Sequence, residues 1–216
     1  MRRRGLITSL AVAVLALAAC GSDDDDSTTT PTAKCADVEA PAPKKVKLKR
    51  PDLGDSPPPG ARAQFATNCG SFTIELEPEK APRTTASFGY LVKKGFYDDT
   101  SIHRVAPDFV IQGGDPLGDG TGGPGYFVDE PPPANTSYTE DVVAMAKSEA
   151  EPPGRSGSQF YIVIGTDLGL PPDYALVGKL VEGDATMRAI ENIGDPATET
   201  PSQPVVIEKA TLIEEG

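Results

Sequence analysis

The chain has 216 residues, with 32 acidic against 20 basic side chains and a formal net charge of −12. That balance argues against a nucleic-acid binder, because no basic face is available to displace counterions from phosphates. Tryptophan is absent and aromatics are only 6%, so the core must be mostly aliphatic, in one domain with attachments.

The first segment, MRRRGLITSLAVAVLALAAC, places three arginines before an apolar stretch from Leu6 to Ala18 and then small residues. This is the layout of a secretory signal, and the stretch is too short to span a bilayer comfortably. Its ending, Leu17-Ala18-Ala19-Cys20, resembles a bacterial lipobox, in which cleavage precedes a cysteine that then carries lipid. Residues 1–19 are therefore expected to be a lipoprotein signal peptide. Lipidated Cys20 would hold the protein outside the cytoplasm on the bacterial cell membrane. Two cysteines remain, Cys35 and Cys69. An exported location permits a disulfide between them, and closing a loop of roughly 35 residues contributes about 3–4 kcal/mol; two free thiols are the alternative.

Residues 21–34, GSDDDDSTTTPTAK, cannot bury enough apolar surface to order themselves. The aspartate run lacks the spaced ligands and turn glycine of a calcium loop. The basic run KKVKLKR (44–50) reads as plain linker or as a contact for anionic headgroups. DSPPPG (55–60) is a boundary signal. Residues 20–60 are thus expected to be a disordered tether, and 61–216 a folded domain.

In that domain, AQFATNCGSFTIELEP reads as two strands about a turn at Asn68-Cys69-Gly70, with Phe72, Ile74 and Leu76 alternating. APRTTASFGYLVKKG reads as a helix: Pro82 in its first turn, Phe88, Leu91 and Val92 on one stripe, Lys93 and Lys94 in its last turn and Gly95 beyond. Short strand-like runs follow at 109–112, 142–146, 159–165 and 174–180. DATMRAIENIG (184–194) is a second helix with Met187, Ile190 and Ile193 inward, and PVVIEKATLIEEG closes with a strand. Many short strands and two helices imply an all-β sandwich or barrel with helices over its openings.

The chemistry narrows by elimination. A single histidine, His103, and no thiol cluster leave no convincing metal site. Ser158 lies in no G-x-S-x-G elbow. GDGTGGPG (118–125) lacks the Lys-Ser/Thr ending of a phosphate loop. What stands out is Arg104 ahead of Phe109, Val110 and Gln112: one guanidinium at the edge of an apolar cup. A guanidinium is a fixed donor rather than a general base. Rotation about an Xaa–Pro bond is a reaction that uses a donor and an apolar cup without moving a proton.

These residues resemble the cyclophilins, the peptidyl-prolyl cis–trans isomerases. IHRVAPDFVIQGGD (102–115) is similar to that family's active-site strand and GTGGPGY (120–126) to its glycine loop. VVAMAKS (142–148), GSQFYI (157–162) and LPPDYALVGKL (170–180) follow in order, within a likeness running from about Phe65 to Ile213. The resemblance implies an all-β fold, a closed eight-stranded antiparallel barrel capped by two helices. It also implies a monomer with no cofactor and no metal. It implies Arg104 as the catalytic donor and Phe109, Val110, Tyr161 and Leu170 as the cup for the proline ring. Gln112 would contact the substrate backbone, and Ala146 and Lys147 would line the groove. Gln159 and Tyr174 would complete the walls, with Gly120 at the glycine-loop position.

Four positions depart from the family: Val110 for methionine, Lys147 for asparagine, and Gly169 and Tyr174 for the tryptophan and histidine of eukaryotic relatives. The last two lie on the rim used by the inhibitor cyclosporin, so weakened inhibitor binding is expected. The implied partners are proline-containing segments of exported proteins, whose folding the enzyme would assist. The alternative is a binding module, a holdase or scaffold for such segments, with incidental isomerase activity.

Overall fold

A computed structural model describes residues 34–214. The expected signal peptide, Cys20 and the start of the tether lie outside the described residues. Ten strands and two helices follow one another in these: β1 (Arg62–Thr67), β2 (Gly70–Leu76), α1 (Pro82–Lys93), β3 (Thr100–Ala106), β4 (Val110–Asp115), β5 (Val128–Asp129), β6 (Val142–Met145), β7 (Arg155–Ser156), β8 (Phe160–Val163), β9 (Leu176–Glu182), α2 (Asp184–Glu191) and β10 (Val206–Ile213). Eight of them close a barrel in the order β1-β10-β3-β4-β8-β6-β9-β2, and β5 and β7 form a separate ribbon. The barrel pairings are antiparallel. The eight-stranded, two-helix barrel expected from the sequence is therefore what forms.

The interior is filled by one face of each strand. Phe65 stacks on Phe72 with centroids 4.9 Å apart, and Phe88, Tyr97 and Phe160 close around Phe65 at 5.4–6.2 Å, within the 4.5–7 Å range of productive aromatic pairs. α1 contributes Phe88, Leu91 and Val92, and α2 contributes Met187 and Ile190. Pro82 starts α1, and no side chain of its own first turn caps it. The Glu130 carboxylate does so from elsewhere in the chain, accepting from Arg83 N at 3.1 Å and Thr84 N at 2.6 Å; this satisfies donors that a helix start leaves open. α2 stops at Glu191, earlier than its sequence pattern suggested, and Ile193 lies beyond it, half-buried against the core.

The stretch ahead of Phe109 is strand β3, and its geometry is irregular for a definite reason. Opposite β4, Ile102 pairs with Gly113 while Arg104 pairs with Gln112. His103 is thus the extra residue of a β-bulge, which shifts the inward–outward parity of all that follows. Ile102 and Val105, three apart, both enter the barrel core. Arg104 is turned outward as a result.

The tether expectation is corrected for residues 34–60. They carry no regular strand or helix, yet they lie on the domain as an extended strap. Cys35 is disulfide-bonded to Cys69. Ala36 N donates to Asn68 O at 2.7 Å, Lys44 N to Pro116 O at 2.7 Å and Leu48 N to Pro124 O at 2.8 Å. Val46 and Leu48 pack against the core. The composition is poor in apolar residues, but a covalent anchor and two well-placed aliphatic side chains suffice to hold an extended segment.

Candidate active site

The candidate site lies on the outer face of the barrel. Along β6 and β8, alternate residues enter the interior (Val143, Met145, Phe160, Ile162) while the others (Val142, Ala144, Tyr161, Val163) face outward, and all eight are buried. Buried residues on both faces explain why these strands read as continuous apolar runs rather than alternating ones. The outer set forms a second apolar cluster with Ala106, Val110, Tyr138 and Leu176. Phe109, Ala146, Leu168, Leu170 and Tyr174 pack against it, half-buried. Tyr138, Tyr161 and Tyr174 meet pairwise at 5.6–6.4 Å. The Tyr138 hydroxyl donates to Tyr174 O at 2.7 Å and accepts from Tyr174 N at 2.9 Å, which fixes the segment that walls the cup. Burial pushes the Tyr138 phenol up to about 12.

A polar chain runs along the edge of this cup. Arg104 Nε donates to Glu199 at 2.6 Å, and Nη1 donates to Gln112 Oε1 at 3.2 Å. The guanidinium also lies 5.6 Å from the centre of the Phe109 ring. Gln112 Nε2 donates to Gln159 Oε1 at 3.1 Å, and Gln159 Nε2 reaches Gly120 O at 2.9 Å and Gly122 O at 3.0 Å. The bulge at His103 makes this chain possible, because it sets Arg104 directly opposite Gln112.

The glycine-rich loop has its own organiser. Asp115, fully buried, accepts from Leu117 N at 2.7 Å, Asp119 N at 3.1 Å and Gly120 N at 2.6 Å. Gly122 approaches the Asp115 carboxylate too closely for any side chain. Alongside the loop lies a cavity of about 870 Å³, whose walls include Gln112, Ala146, Lys147 and Gln159. Lys147 lies at its edge, its ammonium 5.4 Å from the Tyr174 ring centre.

The residues singled out in the sequence thus meet in two adjoining groups. Phe109, Val110, Ala146, Tyr161, Leu170 and Tyr174 make or border the apolar cup; Arg104, Gln112, Gln159 and Gly120 make the polar edge. Sequence reasoning did not find Glu199, Asp115 or Tyr138. Glu199 sits in a loop at φ 56°, 95 residues from its arginine, and no motif marks it. Asp115 closes the quoted run IQGGD, so its position next to a glycine-rich loop was an available signal. His103 is largely buried; desolvation lowers its imidazole below the ordinary value, opposed by the nearby Asp115 carboxylate. Among the described residues no three His, Cys, Asp or Glu side chains gather as metal ligands would.

Comparison with known proteins agrees with this arrangement. The sequence model of the family "Cyclophilin type peptidyl-prolyl cis-trans isomerase/CLD" matches residues 62–212. The chain is 36% identical over 159 residues to peptidyl-prolyl cis-trans isomerase-like 1 of Aspergillus fumigatus, covering 70% of this chain and 95% of that one. It is 36% identical over 177 residues to the probable peptidyl-prolyl cis-trans isomerase A of Mycobacterium bovis, covering 73% and 95%. The crystal structure of a Cryptosporidium parvum cyclophilin type peptidyl-prolyl cis-trans isomerase, in the presence of the dipeptide Ala-Pro, superposes with a TM-score of 0.65 at 28% identity. That match covers 71% of this chain and 99% of the other.

Proposed function

Because the chain belongs to the cyclophilin-type peptidyl-prolyl cis–trans isomerases and is an isomerase of that family, we propose that it acts on exported proteins from a lipid anchor at Cys20, with Arg104 as its catalytic donor. The observation that carries the catalytic assignment is the setting of Arg104. It is held by Glu199 and Gln112 at the lip of an apolar cup large enough to need three tyrosines and a phenylalanine as walls.

The peptide C–N bond resists rotation by ~18–20 kcal/mol, because nitrogen shares its lone pair with the carbonyl. At the twisted transition state the proline nitrogen regains that pair and becomes an acceptor. A donor aimed there binds the transition state better than either ground state, which is the condition for catalysis. A charge-assisted hydrogen bond contributes ~1.5–3 kcal/mol. Transfer of the amide from water into the cup and anchoring of the substrate backbone by the Gln112–Gln159 edge supply the remainder. In this mechanism Arg104 stays a donor throughout and no proton is transferred.

Replacing Arg104 by alanine should lower kcat/KM for a prolyl peptide by about ten- to hundredfold. Activity within threefold of wild type would overturn the mechanism. The exported role is supported by the arginine-led apolar N-terminus ending in Cys20 and by the Cys35–Cys69 disulfide, which suits an oxidising compartment. Two measurements test it. Cys20→Ala should shift the protein out of the membrane fraction, and substoichiometric enzyme should accelerate the slow refolding of a proline-limited exported protein. A stoichiometric requirement would indicate a binder instead.

A further inference from the structure

The cavity beside the cup has a wall that the family match does not include. Lys44, Lys45 and Val46 of the strap line it together with Gln112, Lys147 and Gln159, whereas the family match starts at residue 62. The strap is held there at two points. Lys44 N and Leu48 N bind the carbonyls of Pro116 and Pro124, the two ends of the glycine-rich loop. Gln159 grips the same loop from the active-site side through Gly120 and Gly122. The loop is thus clamped between the catalytic edge and the strap, and any substrate segment entering the cavity meets both.

The charges around this cavity are mostly committed. The Lys44 ammonium donates to Asp98 O at 2.8 Å and pairs with Asp99 at 3.6 Å. Lys147 donates to Ser148 O and Glu151 O. The Glu151 carboxylate accepts from Ser148 N and Oγ, and Asp115 is taken up by loop N–H groups. Lys45 is exposed and has no ion pair or side-chain hydrogen bond among the described residues. In a chain of net charge −12, one uncommitted ammonium therefore stands at the mouth of a cavity that adjoins the catalytic edge.

We propose that the strap makes this cavity a subsite for an acidic side chain, with Lys45 as the specificity-determining residue. The enzyme then favours Xaa-Pro segments that carry Asp or Glu a few residues from the proline. The proposal rests on the isomerase reading and concerns only substrate choice.

The test uses the full chain at low ionic strength with alanine-based peptides containing one Ala-Pro bond. Glu or Gln is placed in turn at each of the three positions before that dipeptide and the two after it. At one register kcat/KM for the Glu peptide should exceed that for its Gln twin by about two- to fivefold, the range of an exposed ion pair. The ratio should approach one at ~0.5 M salt, where the screening length falls to a few ångströms. Lys45→Glu should invert the preference, and a denaturant-unfolding midpoint equal to that of wild type shows that the variant is folded. Lys49→Glu makes the same charge change on the strap, at a residue that does not line the cavity, and should keep the wild-type ratio. A ratio of one at every register, or a preference indifferent to Lys45→Glu, overturns the proposal. Failure to turn over the Gln peptides as well would overturn the isomerase reading beneath it.

Discussion

The barrel holds two aromatic clusters that meet back to back at β8, where Phe160 faces inward and Tyr161 outward, and they are made for different ends. Inside, Phe65, Phe72, Phe88, Tyr97 and Phe160 are fully buried, and the one hydroxyl among them donates to Ser158 O at 3.1 Å. Outside, Tyr138, Tyr161 and Tyr174 sit under a half-exposed rim, and the Tyr161 hydroxyl is buried with no partner among the described residues. A core is closed when its surfaces match and its polar groups are paired. The outer cluster keeps an open face and an unpaired polar atom, as a surface does that is completed only when something binds. The residues of one strand serve both clusters, so a substitution's parity along β4, β6 or β8 decides whether it alters stability or activity.

The sharpest way to break that contrast is to move effects across it. Phe65→Ala should cost about 3–5 kcal/mol in denaturant unfolding, a large part of a typical domain's 5–15 kcal/mol. The fraction that remains folded should keep near wild-type kcat/KM. At the outer edge, Glu199→Ala should leave unfolding nearly unchanged but lower kcat/KM about three- to tenfold, because Arg104 loses the acceptor that orients its Nε. Glu199→Gln, which keeps an acceptor oxygen, should recover most of that loss. Smaller again, Tyr161→Phe should raise stability by about 1 kcal/mol, since a buried unpaired hydroxyl carries a desolvation cost. A fall in stability on that change would mean that the outer cluster is packed and satisfied like the inner one.

The same parity explains what could be read from the chain and what could not. β2 was legible because Phe72, Ile74 and Leu76 alternate without interruption and all point inward. β3 was hidden because the His103 bulge puts its inward residues, Ile102 and Val105, three apart, a spacing that belongs to neither a regular strand nor, over so few residues, a helix. The cup was legible through its ordered motifs, since Phe109, Val110, Gln112, Tyr161 and Tyr174 lie within or beside recognisable runs. Glu199 was not, because it reaches Arg104 through tertiary structure alone, from a loop beyond α2. The strap was misread for a related reason. Composition reports how much apolar surface a segment has, but Val46, Leu48 and Cys35 are held by where they land, which composition does not record.

His103 supplies the last and smallest test, and it separates a neighbour of the proposed catalytic donor, Arg104, from that donor itself. Burial lowers its imidazole from the ordinary value, with Asp115 opposing and Arg104 adding to the effect. The folded-state pKa is therefore below the unfolded one. Above the unfolded value of ~6.5 the residue is neutral in both states and contributes nothing. As pH falls through that value the unfolded chain takes up the proton first, so the folded state loses stability, and the loss levels off below the folded pKa. Wild type should consequently lose more stability between pH 7 and 5 than His103→Gln, as measured by parallel denaturant titrations. Activity should not follow this curve. The proposed reaction moves no proton, so kcat/KM should be flat between pH 6 and 8. A tenfold drop tracking a pKa near 6.5 would make His103 a proton-transfer group, and the bulge that carries it would then be catalytic in its own right rather than the device that turns Arg104 toward the cup.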